Sequence, residues 1–375
     1  MTVSPFGLYL HVPFCDGKCP YCDFYSRPAD EEMMDAYAAA VKRTLLSYRS
    51  HTDRPVSSLY LGGGTPSLLG GRRLSDLLLW IRRIFPVLPG AEITLEANPT
   101  RDLSEVLAGA AEGGVNRVSI GLQSANDREL RFLGRKHSAR DVSRAAGQVR
   151  KAGIAALSLD LMLALPQQWE EDIARSVSFC RENGADHVSA YLLKVEEGTP
   201  FGQKREQLQL PDDDRAADLY LFTCRSLEEN GYRQYEISNF SRPGREGRHN
   251  LCYWHDEEYL GIGPGAHSFF EGRRFYYPRD LTAFLRGEDP VSDGEGGSLP
   301  EYVMLGLRLT EGLKRETMAA RFGPDGARAF DALQEKARRY RPTGLLQPDE
   351  HRIALTPAGF LVSNELISEL SLALG

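Results

Sequence analysis

The chain has 375 residues, of which 42% are hydrophobic and 26% charged, and its formal net charge is −7. This composition is typical of a globular protein with one large and one small domain, and its acidic balance gives no reason to expect a nucleic-acid partner. Since there is neither a signal-peptide pattern nor a run of about 18 apolar residues, we expect a cytoplasmic protein.

Short β-rich runs alternate with longer segments of helical periodicity from residue 7 to about 270. This is the pattern of a parallel sheet built from βα units. Amphipathic helices fit between the runs, for example over residues 33–49 and 75–84. The alternation does not separate a doubly wound sheet from a full or partial barrel, but both carry their chemistry at the carboxyl ends of the strands. The predicted strands are GLYLHV, SSLYL, EITLEA, RVSIGL, AALSLDL, HVSAYLL and, with the weakest pattern, YRQYEIS.

A change of composition near the C-terminus predicts a second domain. The run RGEDPVSDGEGGS, residues 286–298, is rich in glycine, serine and acidic residues, as surface linkers are. We therefore predict a core over residues 1–285 and a second domain over residues 299–375. Its pattern predicts a helix, two further helices over residues 315–321 and 325–339, a short hairpin and a last helix. That order is similar to a winged-helix module, although the low basic content argues against DNA binding.

The strongest signal is HVPFCDGKCPYCDF, residues 11–24, directly after the first predicted strand. Its cysteines, Cys15, Cys19 and Cys22, are spaced C-x3-C-x2-C. Three thiolates on a four-iron cubane leave one iron without a protein ligand. S-adenosylmethionine (SAM) can chelate that iron through its amino and carboxylate groups. The motif thus predicts a [4Fe–4S] cluster with bound SAM, and Gly17 lets the backbone turn around the cluster.

Two other interpretations of the cysteines are weaker. A structural zinc site takes four closed ligands, and no further pair of Cys or His follows at finger spacing. A redox-active pair of Cys19 and Cys22 leaves Cys15 unexplained. Of the other three cysteines, we expect Cys180 and Cys224 to be small core residues.

The spacing and its flanking residues resemble a known family. C-x3-C-x2-C is the spacing of the radical SAM superfamily, and LYLHVPFC (residues 8–15) and CPYCDF (residues 19–24) resemble its HemN/HemW branch. That branch contains oxygen-independent coproporphyrinogen III dehydrogenase and a group of heme chaperones, and the resemblance extends over nearly the whole chain. It implies an α/β fold with a partial (β/α)6 TIM-like barrel and a small, mostly helical, winged-helix-like C-terminal domain.

Polar residues recur where predicted strands end, as they do around the rim of a barrel. A glycine run after the second strand lets the backbone approach a ligand closely, although it is also typical of a simple turn. Carboxylates at Glu96 and Asp160 suit the SAM amine and ribose hydroxyls. The guanidinium of Arg135 can clamp a carboxylate in a two-pronged manner. The resemblance implies that the SAM-contacting residues are Tyr9, Tyr21, Gly63, Gly64, Thr65, Glu96, Gln123, Arg135, Asp160, Lys194 and His267.

The segment RHNLCYW, residues 248–254, matches the H-N-x-x-Y-W signature of the heme-chaperone relatives. The imidazole of His249 can ligate heme iron, while Tyr253 and Trp254 can stack on a porphyrin face. A lone histidine beside aromatic residues is also typical of a hydrogen-bonded core position, and the sequence leaves both interpretations open. The resemblance implies heme as a further ligand.

Two features separate the two groups of the branch. The dehydrogenases carry a sizeable segment before the cluster and a fourth cysteine two positions after the third, whereas here the first cysteine is Cys15 and Phe24 takes the fourth position. We therefore expect a heme chaperone that delivers heme to heme-requiring client proteins, such as respiratory proteins at the membrane. We also expect a separate partner that donates electrons to the cluster.

Two alternatives remain. One is a coproporphyrinogen III dehydrogenase, which decarboxylates propionate side chains through a 5′-deoxyadenosyl radical. The other is a radical SAM enzyme with an unrelated substrate. The sequence leaves enzymatic turnover and the oligomeric state open.

Overall fold

The computed structural model describes residues 4–100 and 102–374. Within them, the main element is a 12-stranded sheet in which six parallel strands lie side by side in chain order. These strands are β1 (Phe6–Val12), β2 (Val56–Gly63), β3 (Val87–Ala97), β4 (Arg117–Gln123), β5 (Ala156–Leu163) and β6 (His187–Leu192).

The strand order decides between the two predicted architectures. A doubly wound sheet reverses its strand order at a switch point, whereas β1 to β6 are neighbours without reversal. β1 also pairs with β9 (Tyr259–Ile262), and β6 pairs with the antiparallel β8 (Asn239–Ser241). The six strands therefore form an open, partial barrel, and the predicted (β/α)6 fold is confirmed.

Helices cover the outside of this barrel. In the first helix, Asp30 caps the N-terminus by accepting from the backbone N–H of Met33, and the buried Tyr37, Val41 and Leu45 recur at helical spacing. The same helical period places one apolar face of each helix against the sheet. The helices are α1 (Glu31–Arg49), α2 (Gly70–Ile84), α3 (Ser104–Glu112), α4 (Asp127–Phe132), α5 (Ala139–Lys151), α6 (Glu170–Glu182) and α7 (Asp213–Glu229).

The segment after α7 differs from its prediction. YRQYEIS was predicted as a seventh strand, but only β7 (Arg233–Gln234) forms there, as an antiparallel edge beside β8. The predicted linker, residues 286–298, is largely exposed and contains the edge strand β12 (Val291–Glu295). The other elements here are α8 (Arg248–Trp254), β10 (His267–Phe270), β11 (Arg273–Tyr276) and α9 (Leu281–Arg286).

The C-terminal part combines helices with a small sheet of order β13-β15-β14. The long helix α11 is broken at Gly323, whose φ is 62°, immediately before Pro324. This break agrees with the two separate helices predicted for the region. The elements are α10 (Leu299–Gly306), β13 (Leu313–Lys314), α11 (Arg315–Arg338), β14 (Leu346–Pro348), β15 (Arg352–Leu355), α12 (Pro357–Leu361) and α13 (Ser363–Ser371).

A buried ion pair fixes this part to the segment that follows α8. Arg321 of α11 donates to Asp256 Oδ2 at 2.7 Å and to the carbonyls of His255 and Asp256. The Asp256 side chain is 0% exposed. None of the described helices is both long and apolar enough to cross a membrane.

Candidate functional site

A cavity of about 430 Å³ runs through the barrel and opens where the parallel strands end. This volume lies within the usual range of roughly 300–1,000 Å³ for small-molecule sites. The cavity brings together most of the predicted site residues. They are Cys15, Cys19, Cys22, Tyr21, Gly63, Gly64, Thr65, Glu96, Gln123, Arg135, Asp160 and Lys194.

The three cysteines lie half-buried in the loop after β1 and form no disulfide. The backbone N–H of Cys22 donates to the carbonyl of Cys19 at 3.0 Å, which closes the C-x2-C turn. Thr65 Oγ1 donates to Cys15 Sγ at 3.7 Å, and Arg135 Nη1 donates to Cys19 Sγ at 3.6 Å. Two of the three sulfurs therefore already have side-chain donors.

This donor set fits an iron–sulfur cluster better than a single metal ion. Nowhere in residues 4–100 and 102–374 do three Cys, His, Asp or Glu side chains converge on one point that could hold an ion. A zinc site requires such convergence, whereas a cubane places each thiolate on a different iron. Hydrogen bonds to the sulfurs, like those from Thr65 and Arg135, are typical of such clusters.

The glycine run at the end of β2, residues 62–64, packs against the cysteine loop. Gly63 has a φ of 107°, and a Cβ there would lie 2.7 Å from the ring of His11. A Cβ on Gly64 would lie 2.4 Å from the carbonyl oxygen of Phe14. Only glycine fits this close approach, which brings the Thr65 hydroxyl to Cys15.

Glu96 lies inside the barrel near the end of β3. Its Oε1 accepts from the Tyr60 hydroxyl at 2.7 Å, and its Oε2 accepts from the backbone N–H of Gly63 at 3.2 Å. Burial, with the nearby charge of Asp160, raises the pKa of Glu96 to about 7 despite these hydrogen bonds. Its carboxyl group can therefore hold or release a proton near neutral pH.

Asp160 and Gln123 line the same wall from β5 and β4. Asp160 Oδ1 accepts from Ser119 Oγ at 3.2 Å, and burial raises the pKa of Asp160 to about 6. Gln123 has a φ of 67°, a left-handed conformation that is uncommon for residues other than glycine and is often found at functional sites.

The cationic side chains differ in their surroundings. The other terminal nitrogen of Arg135, Nη2, donates to the carbonyl of Gly121 at 3.1 Å, so the guanidinium is fixed between Cys19 and β4. Burial raises the pKa of Tyr21, which lies beside Cys19. Lys194 is largely exposed at the cavity mouth and pairs with Glu196 at 2.7 Å.

Two of the predicted SAM contacts do not line the cavity. Tyr9 lies on β1, and its hydroxyl donates to His11 Nδ1 at 3.0 Å. His267 is exposed on β10 and stacks on Tyr276, with ring centroids 5.2 Å apart. Their assignment as SAM contacts stays a prediction.

His249 is a buried residue of α8 and is 1% exposed. Its Nδ1 is 2.8 Å from Ser58 Oγ, its Nε2 is 2.7 Å from the Tyr253 hydroxyl, and its ring stacks on Tyr60. Burial lowers the pKa of His249 to about 3, so the ring is neutral. In this conformation both ring nitrogens are hydrogen-bonded, and iron would have to displace one of these partners.

Sequence reasoning missed much of the cavity wall. Tyr60, which holds Glu96, and the deeper residues Thr94, Arg117, Ser158 and Ser189 were not predicted to take part. The signal for them is the two-residue period of the strands. The predicted polar residues lie at strand ends, whereas alternate positions along the whole length of each strand face the interior.

Two family models match the chain. The Radical SAM superfamily model matches residues 9–180, and the HemN C-terminal domain model matches residues 299–362. The first match includes the cysteine loop, the glycine run, Glu96 and Asp160. The second begins at the first residue of α10.

Curated proteins match over nearly the whole length. The heme chaperone HemW of Mycobacterium tuberculosis is 38% identical over 99% of this chain and 96% of that protein. The heme chaperone HemW of Escherichia coli is 37% identical over 86% of this chain and 88% of that protein. The chain belongs to the HemW family of radical SAM proteins. This confirms the family predicted from the cysteine loop.

A solved structure shows the same fold outside the HemW family. Coproporphyrinogen III oxidase (HemN) from Escherichia coli, described as a radical SAM enzyme, superposes with a TM-score of 0.83 at 22% identity, covering 100% of this chain and 91% of that one. At this identity the match shows the fold alone.

Proposed function

We propose that this HemW-family chain is a heme chaperone on a radical SAM scaffold, which binds a [4Fe–4S] cluster, SAM and heme and delivers heme to client proteins. The observation that carries the proposal is the near full-length similarity to curated heme chaperones. The cavity supports it, because the three thiols and the buried carboxyl groups face the same space.

In this proposal Cys15, Cys19 and Cys22 hold three of the irons. Thr65 and Arg135 stabilise the thiolates by donating to Cys15 and Cys19. When bound, the cluster supplies one electron at a time to SAM from an external donor. The chain provides the cysteine loop and the hydrogen-bond donors to its sulfurs.

Charged side chains give the SAM site its polarity. Ionised Glu96 and Asp160 attract the positively charged sulfonium and can accept hydrogen bonds from the SAM amino and ribose hydroxyl groups, and Arg135 attracts the SAM carboxylate. Because the pKa of Glu96 is about 7 and that of Asp160 about 6, the site becomes more negative as the pH rises through this range. We therefore propose that SAM binds more tightly above pH 7 than below pH 6.

His249 is the proposed heme ligand, and its existing hydrogen bonds must change before it can bind iron. Nε2 must release the Tyr253 hydroxyl, or Nδ1 must release Ser58, before either nitrogen can bind iron. Ligation therefore requires a movement of α8 or of the Ser58 or Tyr253 side chain. We also propose that the chain delivers heme in the cytoplasm, to clients that include respiratory proteins at the membrane.

The dehydrogenase alternative is tested directly against the chaperone. Anaerobically reconstituted protein is titrated with heme and, in parallel, incubated with coproporphyrinogen III, SAM and a reductant. Stoichiometric heme binding without vinyl-group formation supports the chaperone. Conversion of propionate to vinyl groups contradicts it and supports the dehydrogenase.

Delivery is tested with an added client. Heme-loaded protein is mixed with a heme-free respiratory complex in vesicles, and transfer is followed by the heme absorption spectrum. Recovery of client activity faster than with free heme supports delivery. Equal or slower recovery contradicts it.

A further inference from the structure

Tyr60 contacts both a residue of the proposed SAM site and the proposed heme ligand. It lies on β2 and lines the barrel cavity. Its hydroxyl donates to Glu96 Oε1 at 2.7 Å. Its ring stacks on the His249 ring, with centroids 5.3 Å apart and an angle of 26° between the planes. One side chain therefore joins the carboxyl group assigned to SAM to the imidazole assigned to heme.

The Tyr60 ring is closely packed by its other neighbours. Ser58, Tyr60 and Gly62 share one face of β2, because strand residues two apart point the same way. A Cβ on Gly62 would lie 2.8 Å from Tyr60 Cε1 and 3.1 Å from Glu96 Oε1, so any side chain there would push against the ring. The Tyr9 ring of β1 lies 6.2 Å from the Tyr60 ring. The position of Tyr60 is thus set by its surroundings.

His249 is held by the same two strands. Ser58 Oγ lies 2.8 Å from its Nδ1, and Glu92 Oε1 accepts from its backbone N–H at 3.0 Å. Glu92 and Glu96 are four residues apart on β3 and both line the cavity. β3 therefore holds the backbone of His249 directly through Glu92, and supports its ring through Glu96 and Tyr60.

The strength of the Tyr60 hydrogen bond depends on the charge of Glu96. Burial, with the nearby charge of Asp160, raises the pKa of Glu96 to about 7, so a large fraction of this carboxyl group is neutral near pH 7. A nearby cation favours the ionised form. A hydrogen bond to an ionised carboxylate is roughly twice as strong as one between neutral groups. A bound sulfonium therefore strengthens the hydrogen bond between Tyr60 and Glu96.

We propose that Tyr60 is a positioning residue that couples the two sites, so that SAM bound at Glu96 holds the Tyr60 ring against His249 and weakens heme binding. Iron binds only after the His249 ring leaves its present hydrogen bonds, and a firmly held Tyr60 ring opposes that movement. Because coupling between two sites is reciprocal, bound heme weakens SAM binding by the same factor. The inference rests on the proposed function and adds its regulation: SAM favours the release of heme.

The test compares heme affinity with and without saturating SAM, by titration of anaerobically reconstituted protein followed in the heme absorption spectrum. SAM should raise the heme dissociation constant of the parent roughly fivefold, which is the lower end of typical coupling between sites. Tyr60→Phe keeps the ring and loses the hydroxyl, so this ratio should fall to about one. A merely structural role of Tyr60 would change heme affinity equally with and without SAM and leave the ratio unchanged.

Two further variants complete the comparison. Tyr232→Phe is the matched control, because the buried Tyr232 hydroxyl donates to the carbonyl of Ala185 at 2.9 Å outside the cavity wall, and it should keep the parental ratio. Glu96→Gln still offers Tyr60 an acceptor but cannot ionise. At SAM concentrations that saturate it, its ratio should also be about one, so it decides the question even if Tyr60→Phe fails to fold.

Amide hydrogen exchange in α8 gives a readout that needs no heme. SAM should slow this exchange in the parent and in Tyr232→Phe, and should leave it unchanged in Tyr60→Phe. Slower exchange that depends on Tyr60, in a chain that fails to bind heme, supports the coupling and contradicts only the proposed function.

The coupling is overturned by a parental ratio of one or less, or by exchange in α8 that SAM leaves unchanged in the parent. It is equally overturned if Tyr60→Phe or Glu96→Gln, folded and saturated with SAM, keeps the ratio of the parent.

Discussion

At the scale of single residues, the two ends of the cavity carry different chemistry. Thiols and their donors lie at the mouth, and carboxyl groups with raised pKa values lie further inside. The mouth residues were predictable because a cysteine spacing and strand-end polar residues are visible in the sequence. The deeper wall was not predictable, since residues such as Thr94 and Arg117 become neighbours only when β3 and β4 pair.

Cys19→Ala should abolish the brown iron–sulfur absorbance while the fold remains intact. The reason is that the change removes one of three thiolates and leaves Arg135 without its sulfur partner. The visible absorbance and circular dichroism of reconstituted protein check this. Cys224→Ala, a buried cysteine of α7 that does not line the cavity, should keep the cluster, and a fully loaded Cys19→Ala protein would contradict the assignment.

Glu96→Gln should change how stability depends on pH. Since burial raises the pKa of Glu96 in the folded protein from 4.5 to about 7, ionisation costs folding free energy as the pH rises between these values. The free energy of unfolding of Glu96→Gln relative to the parent should therefore increase by roughly 2–3 kcal/mol from pH 4.5 to pH 7 and then level off. SAM-free protein unfolded in urea at several pH values measures this.

The exposed Glu335→Gln in α11 is the control and should follow the parent at every pH. A constant difference between Glu96→Gln and the parent across the range would show that the pKa of Glu96 is the same in the folded and unfolded chain.

At the scale of elements, α8 connects the barrel to the proposed heme chemistry. Its His249 packs on Tyr60 and contacts Ser58 of β2, and its Tyr253 packs against Tyr259. The strands β1 to β6 were predictable from their apolar runs. The antiparallel edge strands β7 and β12 were not predictable in this form, because β7 has only two residues and the fully exposed β12 has no alternating apolar residues.

Tyr253→Phe and His249→Ala together test the heme ligand. Tyr253→Phe frees Nε2 of His249, so heme should bind as tightly as in the parent or more tightly. His249→Ala should weaken heme binding at least tenfold and shift the Soret band, and should cost about 2 kcal/mol of stability because Ser58 and Tyr253 lose their partner. Parent-like heme binding by a folded His249→Ala protein would show that another group ligates the iron.

At the scale of the whole molecule, the C-terminal part is attached to the same segment that carries α8. Arg321 reaches Asp256, two residues after α8, and Arg274 contacts the same carboxylate at 3.2 Å. The domain division was suggested by composition. The contact between the parts was not predictable, because it joins residues 65 positions apart.

Arg321→Met should loosen this attachment. It leaves the buried Asp256 with one cationic partner and should cost about 2 kcal/mol of stability. Amide hydrogen exchange should rise in both α8 and α11. Arg328→Met removes an exposed ion pair of the same helix and should leave the exchange unchanged. Equal exchange in the two variants would argue against the attachment through Arg321 and Asp256.

The most direct test of the whole account is the metal content of anaerobically purified and reconstituted protein, followed by electron paramagnetic resonance of the reduced form with and without SAM. The account predicts about four irons and four sulfides per chain and a signal that SAM changes. Bound zinc, absence of metal, or a signal indifferent to SAM would contradict it.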